Sequence, residues 1–122
     1  MVTIPLIGVV DDDEALCLSL ADLMRSVGYR SEAFTSAETL LGCDHLRSFD
    51  CIVADVHMPG MGGPELVGEL RQDGVMTPVI LITALPDTHL DEQAISIGAS
   101  CLLRKPFETS SLLACVERSI LK

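Results

Sequence analysis

The sequence predicts an α/β fold, a doubly wound parallel sheet of five strands flanked by five helices. Three observations lead there. Five short apolar runs alternate with stretches of helical periodicity. The connections between them are short and rich in Gly, Pro, Asp and Ser. The strongest runs are apolar on both faces, as strands covered by helices above and below require. Right-handed crossovers then distribute the helices over both sides of the sheet.

The first strand is Leu6–Val10, apolar throughout apart from Gly8. From Glu14, the residues Leu16, Leu20, Leu23, Met24 and Val27 recur at helical spacing, and Gly28 supplies a stop. Arg30–Phe34 is a more polar strand, expected near a sheet edge. Thr35-x-x-Glu38 has the form of a capping box, so a helix should run through Leu40 and Leu41. The run CIVA, residues 51–54, is the third strand. The loop MPGMGG leads into a helix over residues 64–72, with Pro64 in its first turn. PVILI, residues 78–82, is the fourth strand; Thr88 caps a helix over residues 89–97 that Gly98 closes. Residues 101–103 form the fifth strand. Thr109 or Ser110 starts a last helix carrying Leu112, Leu113, Val116 and Ile120.

This organisation accounts for residues 1–122 as one domain, with no repeat or linker. Hydrophobic residues make up 48% of the chain and tryptophan is absent, so the core is aliphatic. The formal net charge of −10, from 18 acidic and 8 basic residues, argues against direct contact with nucleic acid or an anionic membrane. No apolar run reaches membrane-spanning length. The N-terminus lacks the basic start of a secretory signal. Five cysteines, an odd number with no C-x-x-C pair, indicate neither a disulfide framework nor a zinc site. They are expected to be reduced, buried and inert, in keeping with a cytoplasmic protein.

In such sheets ligands bind beyond the carboxyl ends of the strands, near the switch in strand order. The polar residues at those ends are Asp11 and Asp12 after the first strand, Asp55 after the third, Thr83 after the fourth and Lys105 after the fifth. Taken singly, each has a plainer reading. Asp11 and Asp12 could cap a helix, Thr83 could be an ordinary hydroxyl and Lys105 a solvated lysine. Asp13 and Glu14 suit the first helical turn, where acids favour the dipole. Taken together, three carboxylates in one pocket repel unless a cation joins them. Hard oxygen ligands select Mg²⁺ or Ca²⁺, and a small site that keeps several waters suits Mg²⁺. Lys105 offsets part of the remaining charge. A carboxylate placed beside a divalent ion and an ammonium can attack phosphorus and form an aspartyl phosphate. Thr83 and Lys105 could hold the same phosphoryl oxygens.

The pieces VVDDDEAL, DCIVADVHMPGMGG, PVILITA and GASCLLRKPF, in this order and each at a strand end, resemble the receiver domain of bacterial two-component response regulators along almost the whole chain. The resemblance implies a flavodoxin-like sheet of strand order 2-1-3-4-5, as in chemotaxis regulators. It makes Asp55 the phosphoacceptor, with Asp12 ligating Mg²⁺ directly, Asp11 mainly through water, and Asp55 and the backbone carbonyl of His57 completing the protein ligands. Thr83 would hydrogen-bond the phosphoryl group, and Lys105, before a cis peptide to Pro106, would form an ion pair with it. The donor would be a phosphohistidine on a sensor histidine kinase or a histidine phosphotransfer protein. The readout would fall on the last helix–strand–helix face, through which homodimers could also form. Several motifs read like regulators with a C-terminal DNA-binding output domain. The chain stops at Lys122, so either a single-domain regulator or one part of a transcription regulator fits.

Departures from the family pattern are specific. Leu102 stands where the family carries an aromatic residue coupled to the threonine, and Gly62 replaces an acid in the third loop. Two rivals follow. An aspartyl phosphatase of the haloacid-dehalogenase type needs Asp-x-Asp-x-Thr after the first strand, which is missing, and no Gly-x-x-x-x-Gly-Lys loop is present. The other is a degenerate receiver that binds a partner without being phosphorylated. In the family, the side chains two residues after the phosphoacceptor and two after the threonine tune access of water to the phosphoryl group; here they are His57 and Leu85, and Leu85 is apolar and cannot orient water. The phosphorylated form should therefore hydrolyse slowly, and Leu85→Glu should shorten its lifetime; an unchanged decay rate would count against this assignment.

Overall fold

The computed structural model describes residues 3–84 and 98–121. Its sheet has five parallel strands in the order β2-β1-β3-β4-β5, from β1 (Leu6–Val10), β2 (Arg30–Phe34), β3 (Cys51–Asp55), β4 (Val79–Thr83) and β5 (Cys101–Arg104). Among the described residues there are four α-helices: α1 (Glu14–Ser26), α2 (Ala37–Leu41), α3 (Gly63–Gln72) and α4 (Thr109–Ile120). The helix expected over residues 89–97, with its cap Thr88, lies outside the described residues. β1 and β4 are buried along their full length, whereas the edge strand β2 buries only Ser31 and exposes Arg30 and Ala33.

The sheet divides the core in two. Ile7 and Val9 of β1, Cys51 and Val53 of β3, and Ile80 and Ile82 of β4 face α1 and α4, where they meet Leu20, Met24, Leu112 and Val116. Leu6, Val10, Ile52, Ala54, Val79 and Leu81 face α2 and α3, where they meet Leu40, Leu66, Val67 and Leu70. Period-two alternation along each strand therefore feeds both cores from the same apolar run.

Local chemistry sets the helix ends. Asp13, and not Asp12, is the N-cap of α1; its carboxylate accepts the Leu16 N–H at 3.2 Å. The Gly28 and Tyr29 amides return to the Arg25 and Met24 carbonyls at 3.1 Å each, a Schellman closure that Gly28 permits with φ of 100°. The inward stripe of α1 is Cys17, Leu20, Ala21 and Met24; Val27 is 47% exposed. The periodicity of large aliphatic residues thus placed the face about one position off, because the small residues Cys17 and Ala21 pack closest to the sheet. Ser36 rather than Thr35 caps α2, accepting the Thr39 N–H at 3.1 Å. An unanticipated 3₁₀ turn, Leu46–Ser48, follows. His45 precedes it and holds Glu32 of β2 at 2.7 Å and Asp44 at 3.1 Å, partners the sequence did not identify.

The start of α3 presses against the end of β3. A Cβ at Gly63 would lie 2.7 Å from both the Asp55 carbonyl oxygen and Leu81 Cδ2. One at Gly62 would collide with the Val56 carbonyl oxygen. The Gly62-Gly63 pair is what lets α3 begin directly beneath Asp55. Gly63→Ala should lower unfolding free energy by about 1–3 kcal/mol through overpacking, read from a denaturant midpoint at unchanged slope.

Candidate phosphoryl and metal site

Sheet register alone brings the acids together. Val10 is paired with Ala54, so Asp11 and Asp55 follow at the same level on neighbouring strands. Parallel strands are roughly 4.8 Å apart, and both side chains continue the pleat parity of the α1–α4 face. Asp11 is held by its own backbone, whose N–H donates to the Phe34 carbonyl of β2 at 3.1 Å. Its Oδ1 accepts the Asp13 N–H at 2.9 Å, tying it to the start of α1. Oxygen atoms of Asp11, Asp12 and Asp55 all lie within 4.8 Å of one another. Asp11 is 1% exposed, Asp55 is partly buried and Asp12 faces solvent.

The far strand supplies the counter-charge. Arg104 is paired with Thr83, so Lys105 comes one step beyond the end of β4. Its Nζ sits 3.9 Å from Asp11 Oδ2 and 3.8 Å from Asp55 Oδ2. The Lys105–Pro106 peptide is cis, as the family resemblance implies. The Lys105 N–H donates to the Thr83 carbonyl at 2.7 Å, which continues the ladder into the site. Thr83 itself is fully buried at the end of β4. His57 lies on the exposed loop after β3, and its N–H reaches Asp55 Oδ1 at 3.4 Å. All six residues singled out from the sequence thus lie at one edge of the sheet. Lys105 joins Asp11 and Asp55 by charge, and Thr83 is joined to Lys105 through the backbone. Leu85 lies outside the described residues. The close-approach glycines 62 and 63 were missed as site residues; the doubled glycine ahead of Pro64 was the available signal.

Burial pushes the Asp11 carboxyl above its ordinary range, and the facing Asp55 charge adds to this. The Asp13 N–H and the Lys105 ammonium act in the opposite sense. Among the described residues, three carboxylates thus meet one ammonium, and the cluster is under-neutralised. A hard divalent cation with oxygen ligands fits this donor set, since the carboxylates converge and their mutual repulsion falls when one binds.

The family model of the response regulator receiver domain matches residues 7–117. The chain is 39% identical over 114 residues to the transcriptional regulatory protein FixJ of Azorhizobium caulinodans, covering 93% of this chain and 54% of that protein. It is 32% identical over 114 residues to the response regulator protein TodT of Pseudomonas putida, covering 93% and 50%. It therefore spans about half the length of these curated relatives. The crystal structure of FixJ-N is similar with a TM-score of 0.88 at 30% identity, over 98% of this chain and 96% of that one. Vibrio cholerae chemotaxis protein CheY4 is similar with a TM-score of 0.85 at 27% identity, over 96% and 99%.

Because the raised Asp11 carboxyl binds its proton more tightly in the folded state, the metal-free protein loses stability as pH rises above the ordinary carboxylate range and through the raised value. In chelator at neutral pH, Asp11→Asn should be more stable than the parent by roughly 1 kcal/mol, the scale of one screened charge contact. Added Mg²⁺ should raise the melting temperature of the parent and leave that of Asp11→Asn nearly unmoved.

Proposed function

Because this chain belongs to the response regulator receiver domain family, we propose that Asp55 accepts a phosphoryl group from a phosphohistidine and thereby switches the surface offered to a partner. One observation carries the reading. A carboxylate at the end of β3 faces a buried carboxylate from β1 and an ammonium from β5, with Nζ 3.8 and 3.9 Å away. The donor is a sensor histidine kinase or a histidine phosphotransfer protein. Activity of any longer protein containing this domain, including transcription control through an output domain, belongs to the same proposal.

The chemistry follows from the charges. Asp55 is the most accessible carboxylate adjoining Lys105, since its side chain is 12% exposed against 2% for Asp11. An Asp55 oxygen attacks phosphorus in line, the P–N bond to the donor imidazole breaks, and the imidazole leaves with a proton. Asp11, Asp12, Asp55 and the His57 carbonyl would hold Mg²⁺, which when bound neutralises the phosphoryl oxygens as charge shifts. Lys105 pairs with a phosphoryl oxygen, and the Thr83 hydroxyl donates to another.

The new charge at Asp55 recruits Thr83, which ends the adjacent strand β4, and Lys105, which follows β5 one strand further out. The signal therefore passes to β4, β5 and α4. Leu102 pairs with Leu81 and packs partly buried against the α2–α3 core. In this chain an aliphatic side chain, not an aromatic ring, must register the change on β5. The same residue supports the competing reading, a binding module that is never phosphorylated.

Incubation with a small acyl phosphodonor and Mg²⁺ should label the protein with hydroxylamine-sensitive phosphate. Asp55→Asn should reduce the label to background, and Lys105→Ala should slow its formation by roughly 10²-fold, the scale of one preorganised electrostatic contact. Failure of the unaltered protein to take label, with Mg²⁺ binding demonstrated, would decide for the phosphorylation-independent module.

A further inference from the structure

The cysteines expected to be inert include a pair that the fold brings into contact. Cys101 opens β5 and Cys115 lies on the inward face of α4, and their sulfur atoms are 2.7 Å apart as free thiols. Arg118, one turn after Cys115, directs its guanidinium at both sulfurs, 3.4 Å from Cys115 and 3.6 Å from Cys101. Together with Ser100 and Ser119 these residues line a surface cavity of about 220 Å³. Cys101 is partly exposed, whereas Cys115 is buried. The pair lies at the opposite end of β5 from Lys105, so it is no part of the acidic site.

We propose that Cys101 and Cys115 form a redox-modifiable dithiol, which a hydroperoxide- or disulfide-class oxidant entering through this cavity converts to an intramolecular disulfide joining β5 to α4. With a hydroperoxide, the Cys101 sulfur attacks the distal oxygen, the O–O bond breaks, and the alkoxide or hydroxide leaves with a proton. The resulting sulfenic acid is attacked by the Cys115 sulfur, which forms the S–S bond and releases water. Two thiols and one hydroperoxide thus give one disulfide, one alcohol or water from the peroxide, and one further water.

Three features favour this pair over the other thiols. Closing the sulfurs to the roughly 2.05 Å of a disulfide takes a movement of well under an ångström. The Arg118 charge stabilises whichever sulfur is anionic during attack. Only the partly exposed member needs to meet the oxidant, since the buried one acts as the resolving thiol. Burial pushes the Cys101 thiol up to about 11, and the Arg118 charge acts in the opposite sense. Cys51, fully buried and close enough to be affected electrostatically by both sulfurs, is the rival partner. If the phosphoacceptor reading holds, the bond tethers two elements of the readout face; its formation does not depend on that reading.

The test oxidises the full chain with hydrogen peroxide, or in parallel with oxidised glutathione, and then counts thiols after denaturation. The five thiols should fall to three, with a mass loss of two hydrogens, a Cys101–Cys115 link in the peptide map, monomeric migration and full reversal by dithiothreitol. Cys115→Ser should give no link. A link from Cys51, bonds between chains, or retention of all five thiols would overturn the proposal. The parent protein's peptide map decides this even if a serine variant fails to fold, and phosphate labelling of the oxidised protein separates this outcome from that of the phosphoacceptor reading.

Discussion

The arrangement depends on one electrostatic contact, the Lys105 ammonium set between the carboxylates of Asp11 and Asp55. Two acids at adjacent strand ends repel, and Asp11 is almost wholly removed from water. A single cation at 3.8–3.9 Å softens that repulsion without cancelling it. The shortfall suits a divalent cation, the ligand that the proposed phosphoryl chemistry requires. A protein optimised for stability alone would place neutral side chains here.

The scaffold makes the contact possible by fixing register. Parallel pairing of β1 with β3 and of β4 with β5 aligns Asp11 with Asp55 and carries Lys105 one step past Thr83. β1, β3 and β4 are buried on both faces, so a slip of one residue would exchange the two cores as well as misplace the acids. Register is thus enforced by hydrophobic burial along the whole strand, and the site inherits its geometry from that burial. The Gly62-Gly63 pair completes the cup by allowing α3 to start against the Asp55 backbone.

The two faces of the sheet have different parts to play. The α1–α4 face receives the parity of Asp11, Asp55 and Lys105, and α1 begins directly after the acidic cluster with its own cap at Asp13. The same face carries the Cys101–Cys115 contact at the far end of β5. A charge change at one end of β5 and a thiol change at the other would both act on how that strand sits against α4. The α2–α3 core takes in Val56 and Met58, which anchor the loop after β3.

Much of this was legible in the sequence. β1 and β2 begin and end at the residues read from the pattern, β3 and β5 run one residue further, through Asp55 and Arg104, and β4 is shifted by one, from Val79 to Thr83. Polar residues stop an apolar run, yet their backbones still pair, which is why the reading fell short there. The ordered acids, threonine and lysine marked the site because a doubly wound fold sends strand ends to one edge. Tertiary structure alone decided the rest. Adjacent Thr35 and Ser36 are equally good caps, and only the extended backbone of Ser36 selects it. His45 finds Glu32, and Cys101 finds Cys115, fourteen residues away, across packed elements. Local sequence encodes periodicity and propensity, whereas these contacts depend on how whole strands and helices lie against one another.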